Sequence, residues 1–128
     1  MRRIFKALAV TLAVVGAGSC GDGIGPVAGV LSVSLATPNA GADGAILLTV
    51  SGPAVTSVSA EPGLRVFSGT LGITSNVAVT GPLANGVILR IGVPDTRRAS
   101  QYVATILSVA ANDYSLRALS GYKLTVAP

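Results

Sequence analysis

A period of two constrains this chain more than any other feature. From Val27 onward apolar side chains recur at every second position in short runs, and turn residues break the runs about every 8 to 12 residues. Leu31, Val33 and Leu35 alternate with Ser32 and Ser34, and Val77 and Val79 repeat the spacing. Val87, Leu89, Ile91 and Val93 flank Arg90, and Val103, Thr105, Leu107 and Val109 continue the theme. Tyr122, Leu124 and Val126 alternate with Lys123 and Thr125. Residues 46–50 read as an apolar run, as in the centre of a sandwich or a strand buried on both faces. Successive side chains of a strand point to opposite faces, so the pattern predicts half-buried strands, about seven to nine of them.

The punctuation agrees with that reading. Pro38-Asn39-Ala40-Gly41, Ser51-Gly52-Pro53, Glu61-Pro62-Gly63, Gly81-Pro82, Asn85-Gly86, Pro94-Asp95 and Asn112-Asp113 each supply turn chemistry. Gly accepts positive φ, Pro presets φ, and Asn or Asp folds back onto its own backbone. Residues 99–111 admit a second reading, because Tyr102, Ile106 and Val109 also fall on a helical stripe. Their β-branched content and the strands on either side favour a strand.

With 128 residues one domain is expected. Half the residues are hydrophobic and only 11% are charged, against about 25% in an average soluble domain. Small residues carry much of that apolar character, and no stretch beyond residue 20 approaches the ~18 consecutive apolar residues that a membrane span needs.

The first 20 residues follow different rules. Arg2, Arg3 and Lys6 make a positive start, and residues 7–17 are an apolar run in the signal-peptide range, too short to span stably. Ala17-Gly18-Ser19-Cys20 follows directly. This run resembles the lipobox of bacterial lipoproteins. The resemblance implies cleavage between Ser19 and Cys20 and a diacylglycerol (and palmitate-type) anchor on the Cys20 thiol. Two or three chains, at about 0.8 kcal/mol per buried CH₂, hold durably where one is marginal. Ala17 stands where family members most often carry Leu, and Ala17-Gly18-Ser19 is also an A-x-A-like site for the general signal peptidase, cutting the same bond. On that alternative Cys20 is a terminal thiol.

Residues 20–26 then have the composition of a tether, with Gly21, Gly23, Gly25 and Pro26. The expected organisation is a signal peptide over residues 1–19, a lipidated Cys and Gly-rich tether over 20–26, and a β-sandwich over 27–128. By the same resemblance, Gly21 rather than Asp after the Cys favours the outer membrane if the cell has one. The domain is also loosely similar, in pattern and length, to immunoglobulin-like sandwiches, including cohesin-type domains of bacterial surface proteins.

Net charge excludes one partner class. The whole chain carries nine Lys and Arg against five Asp and Glu, a formal +4. Three of the nine lie in the leader, which leaves six against five, or +1, beyond it. So few cations, without interleaved aromatics, do not make a phosphate-tracking groove, and no nucleic-acid partner is expected.

Little catalytic chemistry is legible. The chain has no His, which removes His-based triads and His metal sites, and its single Cys is assigned to the anchor. Asp43, Glu61, Asp95 and Asp113 sit in separate turn signals, where Asp is expected to cap its own backbone. Gly16-Ala17-Gly18-Ser19-Cys20-Gly21 satisfies G-x-G-x-x-G but lacks the strand before and the helix after. Ser120-Gly121-Tyr122-Lys123 matches S-x-x-K, yet its nucleophile chemistry needs a helix, and Gly121 and the alternation place it on a turn and strand. No catalytic residue, metal site or cofactor is expected.

Two softer features remain. Arg97-Arg98 beside Pro94-Asp95-Thr96 makes a basic turn able to touch lipid headgroups or cell-wall polymer, although charge blocking an exposed strand edge is the commoner use. Phe67, Tyr102, Tyr114 and Tyr122 could stack on sugars, but core packing is the expected role. The preferred reading is a membrane-tethered, non-enzymatic interaction or structural module of the cell envelope, whose partner is another envelope protein or cell-wall polymer. The alternative is a carbohydrate- or cell-wall-binding module, and a hydrolase is a distant third.

Overall fold

The computed structural model describes residues 25–128. The signal-peptide reading, the Ser19–Cys20 cleavage bond and the Cys20 lipidation site lie outside the described residues.

Among the described residues eight strands form: β1 (Gly29–Ala36), β2 (Asp43–Ser51), β3 (Ser57–Ala60), β4 (Arg65–Ser68), β5 (Thr74–Leu83), β6 (Gly86–Val93), β7 (Val103–Ala111) and β8 (Lys123–Ala127). A short 3-10 helix, η1 (Thr96–Gln101), joins β6 to β7. Two four-stranded antiparallel sheets result, in the orders β3-β6-β1-β8 and β4-β5-β2-β7, packed as a β-sandwich. Only β4 to β5 stays within a sheet; every other connection crosses to the opposite layer. Neither half can therefore bury its apolar face without the other.

The core lies between the sheets. Leu31, Val33, Leu89 and Ile91 from one meet Ile46, Leu48, Val50, Val77 and Val79 from the other, all essentially inaccessible. Full burial of each such side chain is worth about 1.5–3 kcal/mol before the entropy of ordering is set against it. The outward faces differ. One presents Ser32, Ser34, Ser59, Arg90 and Thr125; the other presents the exposed side chains of Leu47, Phe67, Val103 and Leu107.

Three bulges shift the phase that simple alternation predicts. Val33 pairs with Leu89 but Ser34 with Val87, so Ile88 is an extra residue, and both Ile88 and Leu89 turn inward. Leu47 pairs with Ser108 and Leu48 with Ile106, which leaves Leu107 as the extra residue of β7. The expected face of Val103, Thr105, Leu107 and Val109 is thereby corrected. The first three point to solvent and only Val109 is buried, while Ala104 and Ile106 pack on the core. At Gly44 the register of β2 shifts against both neighbours, and Asp43 turns into the sandwich.

The strand reading of residues 99–111 holds for most of the segment: Ala99 to Gln101 close the 3-10 turn η1, but Tyr102 is already extended and Ile106 and Val109 of the helical stripe lie in β7. The run at 46–50 is a central strand with one solvent face, since Ile46, Leu48 and Val50 are buried and Leu47 is exposed.

Candidate functional site

Chemistry-bearing side chains gather at the two ends of the sandwich. At one end Pro94-Asp95 leaves β6 and η1 crosses to the other sheet. Asp95 is extended and its Oδ1 accepts hydrogen bonds from the backbone N–H of Arg97 (3.1 Å), from Arg97 Nε (3.2 Å) and from the N–H of Val27 (3.2 Å). The Arg97 side-chain bond is the largest of the effects that hold the Asp95 carboxyl below its ordinary range, and the two backbone donors add to it. Thr96 N–H returns a bond to the carbonyl of Val27 (2.7 Å), so η1 is stitched to the segment that leads into β1. Arg98 Nη2 donates to Gln101 Oε1 (2.8 Å), and both arginines lie on the exposed side of the turn.

Tyr102 ends η1 and drops into the core at 5% exposure. Its hydroxyl donates to the carbonyl of Ala54 and accepts from the N–H of Ala54 (3.3 Å), tying the β2–β3 connection to η1. Gly52 is required by that approach, because a Cβ there would lie 2.7 Å from Tyr102 Cδ2 and 3.1 Å from the Gln101 carbonyl.

The opposite end holds a cluster that the sequence does not announce. The Asp43 side chain has no accessible surface. Thr37 Oγ1 donates to its Oδ2 (2.7 Å), Arg117 Nε to its Oδ1 (2.9 Å), and the Tyr122 hydroxyl lies 3.0 and 2.9 Å from the two oxygens. Asn39 Nδ2 in turn donates to the Tyr122 hydroxyl (2.9 Å). Burial is the largest single influence and raises the Asp43 carboxyl, but the bonds from Thr37, Tyr122 and Arg117, with the charge of Arg117, together outweigh it and hold the group below its ordinary range.

The expectation that the turn acids cap their own backbone holds for Asp95 and for Asp113, whose Oδ1 accepts from Ser115 N (3.0 Å) and Ser115 Oγ (2.6 Å). It is corrected for Asp43, which instead clamps residues far along the chain, and Glu61 pairs with Arg90 across the β3–β6 layer. A sequence clue to Asp43 exists in retrospect: it is an acid at the head of an otherwise apolar strand, beside the small bulge residue Gly44.

Above Gly44, on the outward side of the β2-containing sheet, lies a shallow cleft of about 450 Å³ lined among others by Thr80, Pro82, Ala110, Asn112 and Tyr114. Tyr114 is 90% exposed and has φ +70, a left-handed conformation rare outside Gly and Asn. Core packing is therefore corrected for Tyr114 and for Phe67, which is also exposed, while Tyr102 and Tyr122 do pack on the core. The cleft and Arg97-Arg98 stand at opposite ends of β7, about 25 Å apart at strand rise. The basic turn and the exposed Tyr114 therefore do not share one site.

Ser120 and Gly121 form a turn and Lys123 opens β8, so S-x-x-K lacks its helix. Among the described residues no group of three or more acidic or Cys side chains is placed to hold a metal ion. No described helix is long and apolar enough to cross a membrane. Family models, curated proteins and solved structures offer no match to this chain.

Proposed function

We propose that the chain is exported, cut before Cys20 and held by lipid on that residue, and that its β-sandwich serves as a non-enzymatic interaction or structural module of the cell envelope. The observation that carries this is the run Ala17-Gly18-Ser19-Cys20 immediately behind an eleven-residue apolar stretch. The engagement of the described acids supports the non-enzymatic part: Asp43 clamps a loop, Asp95 caps η1, Asp113 holds a turn and Glu61 pairs with Arg90. None is left as half of an acid–base pair of the kind glycoside hydrolysis uses. With Gly21 after the Cys, the outer membrane is the favoured destination where there is one.

Mass spectrometry of the mature N-terminus tests the anchor. The expected species begins at Cys20 and carries diacylglycerol, and a mature chain with unmodified Cys20 overturns the proposal.

A second reading, cell-wall glycan binding, draws support from Tyr114 alone, since an exposed ring beside a cleft is suited to stack on a sugar. Binding to isolated cell-wall polymer that disappears in Tyr114→Ala would favour it, and equal binding by the variant would remove it.

A further inference from the structure

We infer that the end of the sandwich carrying η1 is its membrane-facing surface, and that Arg97 and Arg98 seat it on anionic lipid headgroups. This rests on the lipid-anchor reading of Cys20. The first support is where the described chain begins. Val27 is bonded to Asp95 and Thr96, so the described polypeptide enters the sandwich beside η1.

Length turns that junction into an orientation. Cys20 and Val27 are seven residues apart, a span of at most about 25 Å even when fully extended. The nine residues of β2 make the sandwich about 30 Å long. A tether shorter than the module cannot lift the η1 end clear and lay the Tyr114 end on the bilayer. The η1 end stays within reach of the headgroups whenever the anchor is inserted.

The surface found there suits that position. Arg97 and Arg98 are exposed, and against Asp95 they leave the turn with a net positive charge. At the same end of the sandwich stand exposed apolar side chains. Val27 is 48% exposed, and Ile73 is 70% exposed in a loop whose carbonyl accepts from the N–H of Gly52, which itself abuts Tyr102. Cations next to exposed aliphatics are the composition of an interfacial surface: the cations meet phosphate and the aliphatics meet the acyl boundary.

The test uses the full lipidated protein in vesicles of phosphatidylcholine with and without phosphatidylglycerol. A fluorophore is attached to Ser100→Cys in η1 or to Ala84→Cys at the far end, and quenching by headgroup-nitroxide lipid is read. Quenching confined to position 100, stronger with phosphatidylglycerol and weakened by salt, is expected. Arg97→Ala/Arg98→Ala is expected to reduce the ratio of seated to free orientations about 30-fold, the worth of two cations near an anionic surface. Salt screening gives the same answer without any substitution. Equal quenching at positions 84 and 100, or quenching indifferent to phosphatidylglycerol, overturns the inference. Protein that fails to float with the vesicles, with unmodified Cys20 in its mass spectrum, overturns the anchor reading itself.

Discussion

Removing the Asp43 carboxylate is expected to unfasten one end of the sandwich. Asp43→Ala takes the acceptor from Thr37, Tyr122 and Arg117 at once. A neutral hydrogen bond is worth about 1 kcal/mol and one to a charged group about 1.5–3 kcal/mol. All three bonds end on the charged carboxylate, so even at the lower figure the gross loss is about 4.5 kcal/mol. The Arg117 side chain retains 28% exposure and regains water once unpaired, which offsets part of the loss. The net expectation is about 3 kcal/mol, the lower edge of what breaking a buried pair costs. For a domain of this size that lowers Tm by roughly 15 °C.

Urea unfolding followed by far-ultraviolet circular dichroism measures it, with Arg117→Ala and the double variant completing a cycle. The two losses are expected to overlap by more than about 1 kcal/mol. A single-variant loss under about 1 kcal/mol, or strict additivity, would refute the assignment of Asp43 as the clamp. The pH dependence adds a sign. The Asp43 carboxyl is lowered in the folded state, so its contribution is fully present above the unfolded value near 4 and is lost as pH falls through the folded value. The stability gap between the native protein and Asp43→Ala is accordingly expected to be constant at neutral pH and to close below about pH 4.

Other substitutions probe the remaining joints. Gly52→Ala forces a methyl against Tyr102 and the Gln101 carbonyl and is expected to cost about 2 kcal/mol or more in urea unfolding; an unchanged midpoint would mean that the connection moves freely. Tyr102→Phe leaves both the N–H and the carbonyl of Ala54 without their partner, for an expected loss of about 1–2 kcal/mol by the same measurement. Tyr114→Asn relieves a left-handed tyrosine that is almost wholly exposed and is expected to stabilise by about 0.5 kcal/mol, whereas a loss would show that the ring packs. Leu89→Ala, at the centre of the core, is expected to cost about 2–5 kcal/mol in the same experiment.

The period of two and the turn residues were enough to determine an all-β sandwich and most of its inward faces. A strand's side-chain direction is a local property, so Leu31, Val33, Leu35, Val77 and Val79 declare their burial in their own spacing. The spacing of Tyr122, Leu124 and Val126 marks their half-buried face in the same way. The anchor reading at Cys20 is likewise local, since it needs only the twenty residues that end there.

Tertiary structure decided what pairing decides. A bulge is defined by a partner strand, so the inward turn of Ile88 and the outward turn of Leu107 and Val103 have no signature in one strand alone. The Asp43 cluster joins residues up to 83 positions apart, and each of them in isolation reads as an ordinary turn or strand residue. Burial converts Asp43 from a surface cap into a clamp because an ionised carboxylate shut away from water is held only by several donors at once. The basic turn was visible in the sequence as Arg97-Arg98. Its place beside Val27, where the chain from Cys20 enters, came only from the fold, because β6 ends there and β1 begins there.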